Sequence, residues 1–163
     1  MKISHLFMAC QSIVLIVFLA LISSCSRDYY YKSEVSIPNA VWSSDKAAIF
    51  EPTLSDTTKN YSIVLSISNT DDYRYNNIWF FIKTTSPDGF SHKDTLEYLL
   101  AEESGKWFGE KNGDKWQLKM YFKNHVRFPK QGKYTFEVQQ GMRDTELRGI
   151  SKVGILFEEI NQN

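Results

Sequence analysis

Between Tyr61 and Ser68 the chain alternates with a period of two: Tyr61, Ile63, Leu65 and Ile67 fall on one side and mainly serines on the other. Successive side chains of a β-strand point to opposite faces, so this pattern specifies a half-buried strand and does not fit one face of a helix. The alternation returns at Trp116–Phe122, with Trp116, Leu118, Met120 and Phe122 inward. Ile78-Trp79-Phe80-Phe81-Ile82 is bulky on both sides and reads as a central strand. Tyr134–Val138 and Val153–Phe157 supply two more strands. Asn69-Thr70-Asp71-Asp72, Pro87-Asp88-Gly89 and Phe128–Gly132 carry the turn chemistry between them. Thr95–Ala101 places Leu96, Leu99 and Leu100 at helical spacing, with Asp94 or Thr95 able to cap. Gly105 and Gly109 follow closely and leave little room for a helix, so a strand is favoured there. Short strands, frequent turns and no convincing helix predict an all-β fold. The expected architecture is a single antiparallel β-sandwich, of jelly-roll or immunoglobulin-like kind, over residues 42–163.

The front of the chain is different in kind. Ile13–Ile22 is an uninterrupted apolar run, shorter than the roughly 20 residues a membrane-spanning helix needs. It has the length of the hydrophobic region of a secretory signal. The stretch Ile22-Ser23-Ser24-Cys25 that ends it resembles a bacterial lipobox. In that motif small residues admit the peptidase to the backbone, and the cysteine sulfur takes a diacylglycerol group. Residues 1–24 are thus expected to be a removed signal peptide, and Cys25 a lipidated N-terminus. Two or three acyl chains anchor stably where one does not. Residues 25–41, with Tyr29-Tyr30-Tyr31 and Pro38 but no sustained period, read as the lipidated cysteine and a tether. Such a tether lets the domain stand off the bilayer or offers a strand to a neighbour. Ser26-Arg27-Asp28 has no Asp directly after Cys25 and no acidic cluster, which points to an outer membrane and its periplasmic side.

Charge and chemistry exclude much of the rest. The sequence holds 19 Lys+Arg and 19 Asp+Glu, a balance with no pull toward nucleic acid. Its 2 cysteines are Cys10, in the expected signal, and Cys25, so neither a disulfide framework nor a Cys-ligated metal site is expected. No phosphate-binding glycine loop, dinucleotide fingerprint or zinc-protease helix is present. His92 and His125 have no cysteine partner, and no serine stands in a nucleophile elbow. Glu97, Glu102, Glu103 and Glu110 lie near Trp107 and Trp116, but their better account is a solvated strand face. Neither a catalytic set, a metal nor a cofactor is expected.

Three residues remain as candidates for binding. Gly105 and Gly109 flank Lys106-Trp107-Phe108, a tight segment that either exposes or buries the Trp107 ring. Arg143 and Arg148 stand five apart among Met142, Leu147 and Ile150. In an extended segment they face opposite ways, and in a looped turn both reach one acidic partner. Surface ion pairs with Asp144 or Glu146 are the plainer expectation for both.

The blocks Tyr73-Arg74-Tyr75-Asn76-Asn77-Ile78-Trp79, Asp94-Thr95-Leu96-Glu97, Gly105-Lys106-Trp107-Phe108-Gly109, Gly141-Met142-Arg143 and Leu147-Arg148-Gly149-Ile150 occur together behind the lipobox. In order and spacing they resemble the gliding-motility lipoprotein GldH family of Bacteroidota. The resemblance implies a non-enzymatic envelope lipoprotein, an accessory or scaffold component of the gliding machinery and the type IX secretion linked to it. It implies partners among those machinery proteins and a membrane contact through lipid on Cys25. It carries over no catalytic residue. The rival expectation is a glycan-binding lipoprotein that uses Trp107, or Tyr73 and Tyr75, as a stacking platform.

Overall fold

A computed structural model describes residues 29–160. The expected signal peptide and Cys25 lie outside the described residues, as do residues 161–163. In chain order the strands are β1 (Tyr31–Ser36), β2 (Val41–Ser43), β3 (Ala48–Phe50), β4 (Thr53–Leu54), β5 (Asn60–Asn69), β6 (Asn77–Thr85) and β7 (Ser91–Leu99). They continue with β8 (Glu110–Asn112), β9 (Lys115–Arg127), β10 (Gly132–Lys133), β11 (Thr135–Gln140), β12 (Glu146–Arg148) and β13 (Ile150–Ile160). A single 3-10 turn, Pro38–Ala40, joins β1 to β2.

One sheet has the order β1-β13-β5-β9-β8 and the other β3-β11-β6-β7, with every pairing antiparallel. The two pack face to face as a β-sandwich. The inward rows hold Tyr61, Ile63, Leu65 and Ile67 of β5, Val153, Ile155 and Phe157 of β13, Ile78, Phe80 and Ile82 of β6, and Phe136 and Val138 of β11. Phe157 lies in the middle of this core, stacked on Phe128 at 5.8 Å and edge-on to Phe136 at 5.5 Å. Ribbons β12-β2 and β10-β4 extend the opposite ends of the sandwich. The strand expected at Thr95–Ala101 is β7, antiparallel to β6.

Three expectations are modified. Residues 25–41 are not all tether: from Tyr31 the chain is β1, in register with β13 from Tyr31↔Phe157 to Ser36↔Lys152. Tyr31 and Val35 pack against the core, and the Tyr31 ring meets Phe157 edge-on at 5.8 Å. The serine face of β5 is buried as well as its apolar face. Ser62, Val64, Ser66 and Ser68 point away from the core but lie under side chains from neighbouring strands, among them Glu34, which takes bonds from Lys152 and Gln117. A Cβ at Gly154 would meet Ser66 Oγ at 2.4 Å, a measure of how closely this outer layer is packed. Finally β6 is central in its sheet, yet only one of its faces is covered. Trp79 and Phe81 point outward, 37 % and 47 % exposed.

The two ends of the sandwich differ. Tyr30, Tyr61 and Phe128 form a chain of ring contacts at the end where the described residues begin. The Tyr61 hydroxyl is buried there with no hydrogen-bond partner among the described residues, and burial pushes the phenol up to about 12. The β6–β7 hairpin reaches the same end. Its Asp88 is bonded by Lys130 and by Ser86, which hold the carboxyl down at about 2. The loops 70–76, 100–109 and 141–145, with the β12-β2 ribbon, make up the far end.

Candidate functional site

The far end is built on glycine and glutamine. Gly149 has φ +88°, and a Cβ there would lie 2.3 Å from the Tyr73 backbone nitrogen, so the 70–73 turn closes directly onto it. The Gly149 N–H donates to Ala40 O and its carbonyl accepts from Thr70 N–H, both at 2.8 Å. One glycine thereby joins the 3-10 turn, the β12-β2 ribbon and the loop after β5. Asn39 and Ala40 beside it also have positive φ, 54° and 52°, a conformation that costs a non-glycine residue about 1 kcal/mol or more. Buried Gln140 shapes the neighbouring loop: its Oε1 accepts from Met142 N–H at 2.8 Å and its Nε2 donates to Asp144 O at 2.7 Å.

Aromatic rings line this scaffold. Tyr73 is buried and donates its hydroxyl to Asn77 O at 2.7 Å, and burial raises its pKa strongly. Its ring touches Tyr75 at 5.8 Å and Trp107 at 6.3 Å. Trp107 is half-buried, and its backbone bridges to Ala101. The ring therefore caps the core and closes the loop rather than projecting from it. Tyr73 is unavailable for stacking a ligand. Tyr75 is exposed, and its hydroxyl donates to Asp144 Oδ2 at 3.0 Å, which raises its pKa. Tyr75, Trp79, Met142 and Arg143 line one shallow hollow.

The arginines behave differently from the lysines. Each ion pair between described residues uses a lysine or a histidine. Arg143 and Arg148 form none with Asp144 or Glu146, contrary to the expectation from spacing. Asp144 is taken by Tyr75, and Arg148 points from a strand while Arg143 sits in the preceding loop. The two also do not share a partner. Arg148 instead shares two adjoining hollows with Arg74, one of about 470 Å³ bordered by Asn39, Asp71 and Asp72 and a smaller one bordered by Asp144 and Glu146. Asp71 is engaged by the Trp116 indole N–H at 2.9 Å.

The candidate residues therefore gather at one end, although each in its own setting. Trp107 supports the core and Tyr73; Arg143 flanks the Tyr75–Trp79 hollow; Arg148 and Arg74 border the two adjoining ones. Arg74 and Gln140 were not singled out in the sequence. Arg74 had a weak signal, a cation between two tyrosines, whereas nothing distinguishes a buried loop-shaping glutamine from an exposed one. Among the described residues no group of three or more His, Cys, Asp or Glu is placed to hold a metal ion. This end offers guanidinium forks and aromatic edges, groups that recognise carboxylates, phosphates and protein surfaces.

Residues 29–156 match the family model described as GldH lipoprotein. The chain is 35 % identical over 156 residues to the gliding motility lipoprotein GldH homolog of Christiangramia forsetii, covering 91 % of this chain and 95 % of that one. It is 29 % identical over 153 residues to the gliding motility lipoprotein GldH of Flavobacterium johnsoniae, covering 90 % and 94 %. The likeness runs through β1, the loops of the far end and most of β13, so it spans both the scaffold and the candidate residues. The chain belongs to the GldH lipoprotein family.

Proposed function

We propose that this protein is a non-enzymatic accessory or scaffold subunit of the gliding-motility machinery and the type IX secretion linked to it. A lipid on Cys25 holds it at the outer membrane, facing the periplasm, and the far end of the sandwich docks a machinery protein. Its mechanism is placement: attachment to a surface raises the effective concentration of the docking end for partners at the same membrane. The relatives' names support the motility setting. The observation that carries the docking role is the pair Arg74 and Arg148, which form no ion pair among the described residues and stand beside carboxylates that are bonded elsewhere or exposed. An unpaired arginine is weakly hydrated and presents a rigid donor fork, which makes it suited to a carboxylate on a partner.

The test is co-purification from detergent-extracted envelope, with a tag at the C-terminus and the N-terminal peptide examined for acylation. The wild-type protein is expected to retain other motility or secretion subunits, and the Arg74→Ala/Arg148→Ala variant to lose them at unchanged melting temperature. Retention by the double variant would sink the docking role, and an unmodified Cys25 would sink the anchor. A second reading has one observation in its favour: Tyr75 and Trp79 border a hollow with Asn77 and Arg143, a set that could stack and hydrogen-bond a sugar. Calorimetry with peptidoglycan fragments tests it, and a signal lost in Trp79→Ala would favour it over the protein-docking role.

A further inference from the structure

From the placement of Tyr29 and Tyr30, where the described residues begin, we infer that the end of the sandwich opposite the candidate site rests on the bilayer, with Phe90 as a second point of contact with lipid. The inference depends on the acylated Cys25 of the proposed function and adds which end of the domain, and which residue, meets the membrane.

The first observation is the length of the leash. Only four residue steps separate Cys25 from Tyr29, a reach of about 14 Å when fully extended. Tyr29 is itself fixed: its hydroxyl accepts from Lys119 Nζ at 3.0 Å, and its ring lies under Lys32 and Lys119 at 5.8 and 5.5 Å. Tyr30 follows with its N–H on Phe157 O at 2.8 Å and its hydroxyl on Thr53 O at 2.9 Å. The tether expected over residues 25–41 is shortened, because Tyr31–Ser36 is β1 and Pro38–Ala40 a 3-10 turn. The Tyr29 ring folds over the outer face of the sheet toward Lys119, the partner of Ser66, while Tyr30 stays at the sheet end beside Tyr61, and that end is held close to the lipid surface.

The second observation is what else stands at that end. The Tyr30, Tyr61 and Phe128 rings lead from the first described residues to the 128–132 loop. That loop packs on the β6–β7 hairpin, where a Cβ at Gly132 would touch the Pro87 ring at 3.0 Å and Lys130 bonds Asp88. At the hairpin tip Phe90 is 71 % exposed, the most exposed large apolar side chain among the described residues. Its carbonyl accepts from Ser86 N–H at 2.9 Å, so the tip is held in a closed turn. A rigid turn presenting one apolar ring, at the same end of the sandwich as Tyr30, suits the boundary between headgroups and acyl chains, where Phe side chains are buried. Two contacts fix orientation where an acyl anchor alone leaves the domain free to tumble. The ten residues of β5 then carry the far end about 30 Å from that surface.

The test uses the full-length acylated lipoprotein floated with phosphatidylethanolamine–phosphatidylglycerol vesicles. With the Cys25 sulfur acylated and Cys10 removed with the signal, single cysteines can carry a spin label: Phe90→Cys at the hairpin tip, Tyr121→Cys on the outer face of the β5 sheet, and Glu103→Cys at the far end. The expected result is that the label at position 90 collides several-fold less with an aqueous relaxant than the label at 103, and that only the label at 90 is strongly relaxed by lipid-borne agent. Equal aqueous access at 90 and 103 overturns the inference. Strongest lipid contact at 121 also overturns it, by laying the sheet flat. Failure of the protein to float overturns the anchor itself, so the two failures are distinguishable.

Discussion

Two residues show how sharply single positions can matter in this fold. Gly149 sits where a left-handed backbone and direct contact with the Tyr73 backbone coincide. Alanine there would have to tolerate φ +88° and displace the 70–73 turn, so Gly149→Ala is expected to destabilise by about 3 kcal/mol or more. A melting curve checks this, and an unchanged midpoint would refute it. Tyr61 acts in the opposite direction. Its buried hydroxyl lacks a partner among the described residues, so Tyr61→Phe is expected to leave stability at pH 7 unchanged or raise it by up to about 1 kcal/mol. Burial holds this phenol at about 12 against an ordinary value of 10.0, so the unfolded chain ionises first. The associated stability is whole below the unfolded value and is lost as pH rises toward the folded one. Denaturant unfolding between these two values should therefore fall less steeply in Tyr61→Phe than in the wild type. A residual slope is expected, because Tyr73 and Tyr98 are also raised, chiefly by burial.

At the scale of the element, β6 puts the period-two rule to a direct test. Phe80 is 1 % exposed and Phe81 47 % exposed, although they are neighbours of the same type. Phe80→Ala should cost about 3–5 kcal/mol, and Phe81→Ala less than about 1 kcal/mol. Comparable losses in the two, measured by denaturant titration, would mean that the strand's faces are assigned wrongly. The sequence showed this strand but not its faces, because Trp79 and Phe81 are as apolar as the residues of the buried row. Hydrophobicity reports burial only where the outward row is polar, as along Tyr61–Ser68. Even there it was half informative. The serines of β5 are small enough to be roofed by long side chains from adjacent strands, and no local pattern specifies a roof. β1 was passed over for a related reason. Tyr31, Ser33 and Val35 do alternate with Lys32, Glu34 and Ser36, but the run of three tyrosines and the nearby Pro38 disguise a short edge strand as a linker. The candidate site was legible as a set of blocks and illegible as geometry. Trp107 and the arginines come together only because Gly149 and Gln140 fold three loops onto one end.

At the scale of the whole molecule, the placement of β1 decides where the folding unit begins. If the domain started at Trp42, β13 would become a sheet edge and lose a partner along six residue pairs, from Tyr31↔Phe157 to Ser36↔Lys152. It would also lose Tyr31 and Val35 from the core margin, and Glu34 from the roof over Gly154 and Ser66. An exposed edge rich in Ile155, Leu156 and Phe157 is a template for pairing with other chains. A fragment of residues 29–160 is therefore expected to melt cooperatively and remain monomeric. A fragment of residues 42–160 should lose its cooperative transition or aggregate, as read by circular dichroism and light scattering. Matching melts would show that β1 is an accessory strand, free to leave β13 and pair with a neighbour. That outcome would lengthen the leash to the length first read from the sequence, and the domain would no longer be held against the bilayer by its start. A cooperative loss, by contrast, makes the anchor and the core one continuous structure. Force or position applied at the lipid would then pass through β1 into β13 and on to the Gly149 junction, where the unpaired arginines stand.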